Sequence, residues 1–146
     1  MSKKERFKLV PSSYLIIIKD GKILLSRRYN TGYEDGSYSL VAGHVDEHEA
    51  FTQALVREVK EESSLDINPD DVEVIHVMHR KCPNDERIDI FFKVNKWKGD
   101  PKIMEPDKCD DISWFSLDAL PKNTVPYIRK AIENISKGIF YSEFGW

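Results

Sequence analysis

The sequence predicts an α/β (α+β) domain with a mixed β-sheet between helices, and three observations carry that prediction. Strand-like and helix-like segments follow one another as strands, helix, strands, helix, the order expected when helices pack on the faces of one sheet. Asp20-Gly21 stands between two apolar runs and is a strong two-residue hairpin signal. A late segment has Ile128, Ala131, Ile132 and Ile135 at the i, i+3, i+4, i+7 positions of an amphipathic helix.

Taken in order, Tyr14-Leu-Ile-Ile-Ile18 is a buried strand, and Lys22 to Arg28 is its hairpin partner. Asn30, Gly32, Asp35 and Gly36 then mark a loop, and Tyr38 to Val41 forms a short strand running into Gly43. The first helix is expected from about Glu47 to Glu62, capped by Asp46 with Glu49 reaching back as in a capping box. Asn68-Pro69 breaks the chain. Val72 to His79 and Ile88 to Val94 follow as strands around a turn at Cys82-Pro-Asn-Asp85, and Ile112 to Phe115 is one more. The second helix starts near Thr124, has Pro126 in its first turn and ends at Gly138. Residues 139–146 hold four aromatics, too many for a free end, so this tail is expected to dock on its own domain or on a second subunit of a homodimer.

Composition narrows the function. A chain of 146 residues, 40% hydrophobic and 32% charged, suits one folded domain, residues 1–146, with a sizeable core. A net charge of −3 offers no basic field for a nucleic-acid partner. Cys82 and Cys109 are too few for a disulfide framework, and the longest apolar run is too short to span a membrane. The charged start, Met1 to Arg6, lacks the apolar stretch of a signal peptide, so the expected location is cytoplasmic.

The informative segment is Arg57-Glu-Val-Lys-Glu-Glu62. On a wheel of about 100° per residue, Glu61 and Glu62 fall within about 60° of Glu58, in the arc that also holds Phe51, Ala54 and Leu55. Carboxylates at i, i+3 and i+4 repel one another, and partial burial strengthens the repulsion. A solvated acidic face would not share its arc with the apolar residues. A cation is needed, and oxygen ligands of this kind suit Mg²⁺ or Mn²⁺ rather than zinc.

The spacing is more specific: Gly43, five residues, Glu49, seven residues, Arg57-Glu58-Val59, one residue, Glu61-Glu62, one residue, Ser64-Leu65. This resembles the box of the Nudix hydrolases, MutT-like subgroup, at every fixed position but one, where Ser64 replaces a glycine. A serine held there in a left-handed conformation costs roughly 1–2 kcal/mol. Val41-Ala42 also stands where Pro-Gly is common. Leu24-Leu25-Ser26-Arg27-Arg28 and Trp114-Phe115-Ser116-Leu117-Asp118-Ala119-Leu120-Pro121 extend the likeness over about residues 13 to 135.

The resemblance implies an α/β/α sandwich and a Mg²⁺-dependent enzyme that cleaves the phosphoanhydride of a nucleoside-diphosphate-linked small molecule. It implies metal ligation by Glu58, Glu61 and Glu62 and by the Gly43 carbonyl, with Glu58 also able to position or deprotonate the attacking water. Glu49 and Arg57, which the wheel points away from the acidic stripe, are assigned to capping and salt bridging. A further carboxylate is expected from the loop before the Trp-Phe segment, with Asp110 and Asp111 nearest and Glu105 and Asp107 upstream. Arg28 corresponds to a substrate-binding arginine. Asn123 lies where a purine edge is read, although it equally suits a helix cap. His44, His48, His76 and His79 have no metal-ligand spacing; His44 and His48 lie close enough to the acidic segment to meet a phosphate.

Three functions follow. The first is a nucleoside triphosphate pyrophosphohydrolase, releasing a monophosphate and pyrophosphate, with modified nucleotides among its candidates. The second is a nucleotide-sugar or dinucleotide pyrophosphatase of the ADP-ribose or NADH type. The third is a non-catalytic nucleotide sensor, which would have no use for the acidic triad.

Overall fold

The computed structural model describes residues 4–146; Met1, Ser2 and Lys3, half of the charged start noted above, lie outside them. The elements are β1 (Val10–Ile16), β2 (Ile18–Lys19), β3 (Lys22–Arg28), β4 (Tyr38–Ser39), β5 (Ala42–His44), α1 (Phe51–Ser63), β6 (Val72–Lys81), β7 (Glu86–Val94), β8 (Cys109–Ser116), α2 (Pro126–Ser136) and β9 (Tyr141–Phe144).

A mixed sheet runs β5-β1-β7-β6-β9, in which β1 is parallel to β7 and β9 parallel to β6. A second, antiparallel sheet is built on β3, which pairs with β2, β4 and β8. The strand alternation of β1 divides the core. Tyr14 and Ile16 face α2 and meet Phe91, Met78, Ile128, Ala131 and Ile132. Leu15 and Ile17 face α1 and meet Leu55, Val59, Leu65, Phe92 and Val94. The two helices thus cover opposite faces, as the order of elements predicts.

At Asp20 and Gly21 φ is 53° and 73°, the paired left-handed conformation that a tight hairpin requires. The expected start of α1 is corrected. Asp46 to Glu49 forms a separate turn, with Glu49 Oε1 accepting from the Asp46 amide at 3.0 Å. His48, at φ 65°, ends that turn and prevents a continuous helix. The helix begins at Phe51, where Gln53 Oε1 accepts from the Ala50 amide at 2.7 Å. At its other end Ser64 is left-handed, with φ 69° and its amide donating to Lys60 O at 3.1 Å.

The tail forms β9 on the edge of β6. Buried His76 secures it through Ile139 O and Ser142 Oγ, each at 2.8 Å. Phe144 packs inward, while Phe140, Tyr141 and Trp146 remain about half exposed or more.

Candidate active site

The acidic face of α1 meets β5 at one rim of a cleft of about 950 Å³. Gly43 is required there by contact. A Cβ on it would overlap Glu58 Cγ and Cδ, so glycine lets this carboxylate lie against the β5 backbone. Glu62 reaches the same strand, where its Oε2 accepts from the Ala42 amide at 3.3 Å. Glu61 is more exposed and touches Arg57 Nη1 at 3.5 Å.

Arg57 carries much of the local electrostatics. Its Nε and Nη2 bind both Glu49 oxygens at 2.7 and 2.9 Å, and Nη2 also donates to His44 O at 3.2 Å. Its Nη1 binds Glu58 Oε1 at 2.7 Å. Salt bridging by Glu49 and Arg57 is therefore present, but Arg57 does not point away from the acidic stripe. Its long side chain turns back to the neighbouring Glu58, which a wheel of Cα positions does not show. The Arg57 fork, with the Asp46 amide, lowers the Glu49 carboxyl to about 2.

Glu62 is the opposite case. Burial raises its carboxyl to about 8, with the charges of Glu58 and Glu105 adding to the rise and the Ala42 amide and Arg28 opposing it. Burial also raises Glu58, against Arg57, with Glu61 and Glu105 contributing. As the side chains stand, no three His, Cys, Asp or Glu side chains among the described residues gather closely enough to hold a metal ion. Glu58 and Glu62 are largely buried carboxyls beside the more exposed Glu61, and this oxygen-only donor set fits a hard divalent cation.

Asp110 and Asp111 lie within β8, and Glu105 in the loop before it. Asp110 is held by Arg27 Nε at 2.7 Å, and Asp111 binds the Tyr38 hydroxyl and Ser113 Oγ. Glu105 is the loop carboxylate whose charge acts on Glu58 and Glu62, and it lines the cleft.

Arg28 also lines the cleft, yet much of its fork closes the 31–33 loop, at 2.6 Å to Tyr33 O and 3.1 Å to Thr31 Oγ1. Asn123 neither lines the cleft nor caps α2. Its Nδ2 donates to Gly36 O at 2.7 Å, because Pro126 at the helix start places the cap at Val125. His44 lines the cleft; His48 is exposed.

Sequence reasoning missed the opposite wall of the cleft. Buried Arg80 and Asp89 pair there at 2.8 Å, with the Tyr14 hydroxyl 2.9 Å from Asp89 Oδ1 and 3.0 Å from the Tyr127 hydroxyl. The available signal was an aspartate between Ile88 and Ile90, at the start of the apolar run that continues through Phe91 and Phe92. Among the described residues no helix is long and apolar enough to cross a membrane.

The family profile described as the NUDIX domain matches residues 9–135. Curated relatives include the NAD-capped RNA hydrolase NudC of Stutzerimonas stutzeri (strain A1501), 28% identical over 114 residues, which are 78% of this chain and 39% of that protein. The protein of the same name from Pseudomonas putida (strain GB-1) is 30% identical over 115 residues, with the same coverage of 78% and 39%. The chain thus spans about two fifths of the length of these relatives. Among solved structures, a MutT NUDIX hydrolase from Burkholderia pseudomallei superposes with a TM-score of 0.79 at 27% identity, covering 86% of this chain and 97% of that one. The E. coli ORF135 protein gives 0.76 at 26%, covering 90% and 91%.

Proposed function

The chain belongs to the Nudix hydrolase family, and from that premise we propose that it hydrolyses the phosphoanhydride of a nucleoside-diphosphate-linked small molecule with the help of Mg²⁺, or Mn²⁺ in its place. The observation that carries this reading is the packing of the Glu58 and Glu62 carboxyls against β5 at the rim of the cleft, where burial and the charge of Glu58 raise the Glu62 carboxyl to about 8. Glu58, Glu61 and Glu62, the Gly43 carbonyl and Glu105 are the groups that would hold the cation. Bound there, it would supply neutralisation of phosphoryl charge and orientation of the attacking water.

The chain's own residues do the rest. Glu58, pressed against Gly43, is placed to take a proton from water as the oxygen bonds to phosphorus and the anhydride P–O bond breaks. Arg57 steadies Glu58, and its bidentate hold on Glu49 ties α1 to the preceding turn. Arg28 and Lys108, both on the cleft lining, supply positive charge for substrate phosphates.

For a triphosphate, attack at the α-phosphorus gives a nucleoside monophosphate and pyrophosphate. A dinucleotide substrate is the second reading, supported by the names of the curated relatives. Incubation of triphosphates and dinucleotides with Mg²⁺ in heavy-oxygen water separates the two. The triphosphate reading expects pyrophosphate release and heavy oxygen in one product only; release of inorganic phosphate alone would contradict it. Turnover confined to dinucleotides would favour the second reading. Binding without turnover of any compound would leave the non-catalytic sensor.

A further inference from the structure

The cleft wall made by β1, β6 and α2 carries a guanidinium that is fixed but not fully used. Asp89 holds Arg80 through Nε at 2.8 Å and Nη2 at 3.3 Å, and Nη2 also donates to the Tyr14 hydroxyl at 3.3 Å. The guanidinium carbon lies 3.7 Å from the centre of the Tyr127 ring, which fixes its plane. Nη1 differs from the other two nitrogens. Its partner is Cys82 Sγ at 3.3 Å, and sulfur is a weak acceptor.

Ser12 lies across the β1–β7 register from Asp89 and borders the same cleft. Its buried hydroxyl has no hydrogen-bond partner among the described residues. Phe144, opposite Arg80 in the β6–β9 register, and Tyr127 add aromatic surface to this lining. One wall therefore presents a fixed donor and aromatic rings, with a buried unpaired hydroxyl on the same strand face as Tyr14.

We propose that this wall reads the base of the nucleotide, and that Arg80 Nη1 selects bases with a carbonyl oxygen at pyrimidine C4 or purine C6, uracil or guanine, over cytosine and adenine, which carry an amino group at that position. The inference rests on the nucleotide reading given above and narrows its substrate class. A carbonyl oxygen replaces the thiol as acceptor and makes a charge-assisted bond. An amino group in that place would set donor against donor, with both removed from water.

Calorimetric titration without metal tests the selection without requiring turnover. UMP is compared with CMP, and GMP with AMP, on the parent protein and on two variants. Arg80→Lys keeps a cation against Asp89 but removes the fork. Cys82→Asn leaves the ion pair intact and gives Nη1 an internal amide oxygen, so the design does not depend on one variant folding. The parent should bind the carbonyl base of each pair about tenfold more tightly, and the ratio should fall toward one in both variants. A parent ratio near one, or a ratio unchanged in both folded variants, would overturn the proposal. Hydrolysis of UTP and CTP with Mg²⁺ is scored separately. A base preference without turnover would sink the hydrolase reading alone, and turnover without a preference would sink this one alone.

Discussion

On the α1 wall of the cleft, Glu58 and Glu61 share Arg57, two of whose nitrogens are already committed to Glu49, while Glu62 accepts from the Ala42 amide and feels Arg28 only through its charge. On the opposite wall Arg80 and Asp89 are each more deeply buried, yet they neutralise one another and share hydroxyl partners. Burial alone therefore does not separate the charges on which the fold depends from those it merely tolerates. The informative property is whether a buried charge has its counter-charge within the chain. Where it does, removing one partner should damage the fold; where it does not, removing the charge should damage only activity.

The largest effect is expected from Asp89→Ala. It leaves Arg80 buried without its carboxylate, which costs about 3–5 kcal/mol. Urea unfolding measures it, and a loss below about 1 kcal/mol, the range of exposed pairs, would break the contrast.

Glu62→Gln is the counterpart. Mg²⁺-dependent turnover should fall about a hundredfold or more, while the metal-free protein keeps its stability or gains slightly as like-charge repulsion is relieved. Added Mg²⁺ should raise the melting temperature of the parent more than that of the variant. Full activity at limiting Mg²⁺ would remove Glu62 from the site.

Gly43→Ala sharpens the same point at a smaller scale. The new methyl meets the end of a flexible side chain, so the fold should tolerate it by moving Glu58. Turnover should drop about tenfold with little change in melting temperature, whereas a large stability loss would mean the glycine serves the backbone instead.

The smallest change is expected at Ser64→Gly, which closes the acidic helix but alters no charge. Ser64 is left-handed, and glycine relieves that strain by about 1 kcal/mol. Chemical denaturation should show a gain in stability at unchanged activity.

Local signals were legible in the sequence because each lies within one element or one turn. The acidic spacing in α1, the Asp20-Gly21 hairpin and the i, i+3, i+4, i+7 stripe of α2 are of that kind. The start of α1 was not, since His48 can extend a helix as readily as end a turn, and only its left-handed backbone decides. Nor was the choice of loop carboxylate. Asp110 and Asp111 are nearest in sequence to the Trp-Phe segment, but pairing of β8 with β3 brings Arg27 to Asp110, Asp111 binds Tyr38, and Glu105 is the one whose charge acts on α1. Arg80 and Asp89 required the β6–β7 register, and Asn123 depended on a carbonyl 87 residues away.

The two-sided burial of β1 bears on how the molecule opens. Because Leu15 and Ile17 serve the α1 core while Tyr14 and Ile16 serve the α2 core, neither helix can be lifted without uncovering the same strand. β1 also joins β5, which carries Gly43, to β7, which carries Asp89. Its backbone amides should therefore exchange with solvent only when the whole domain opens, whereas β9, a four-residue edge strand, can detach by itself. The two walls of the cleft are thus hung from one strand, and a fluctuation that frees the tail takes Phe144 from the lining while β1 keeps its pairing with β5 and β7.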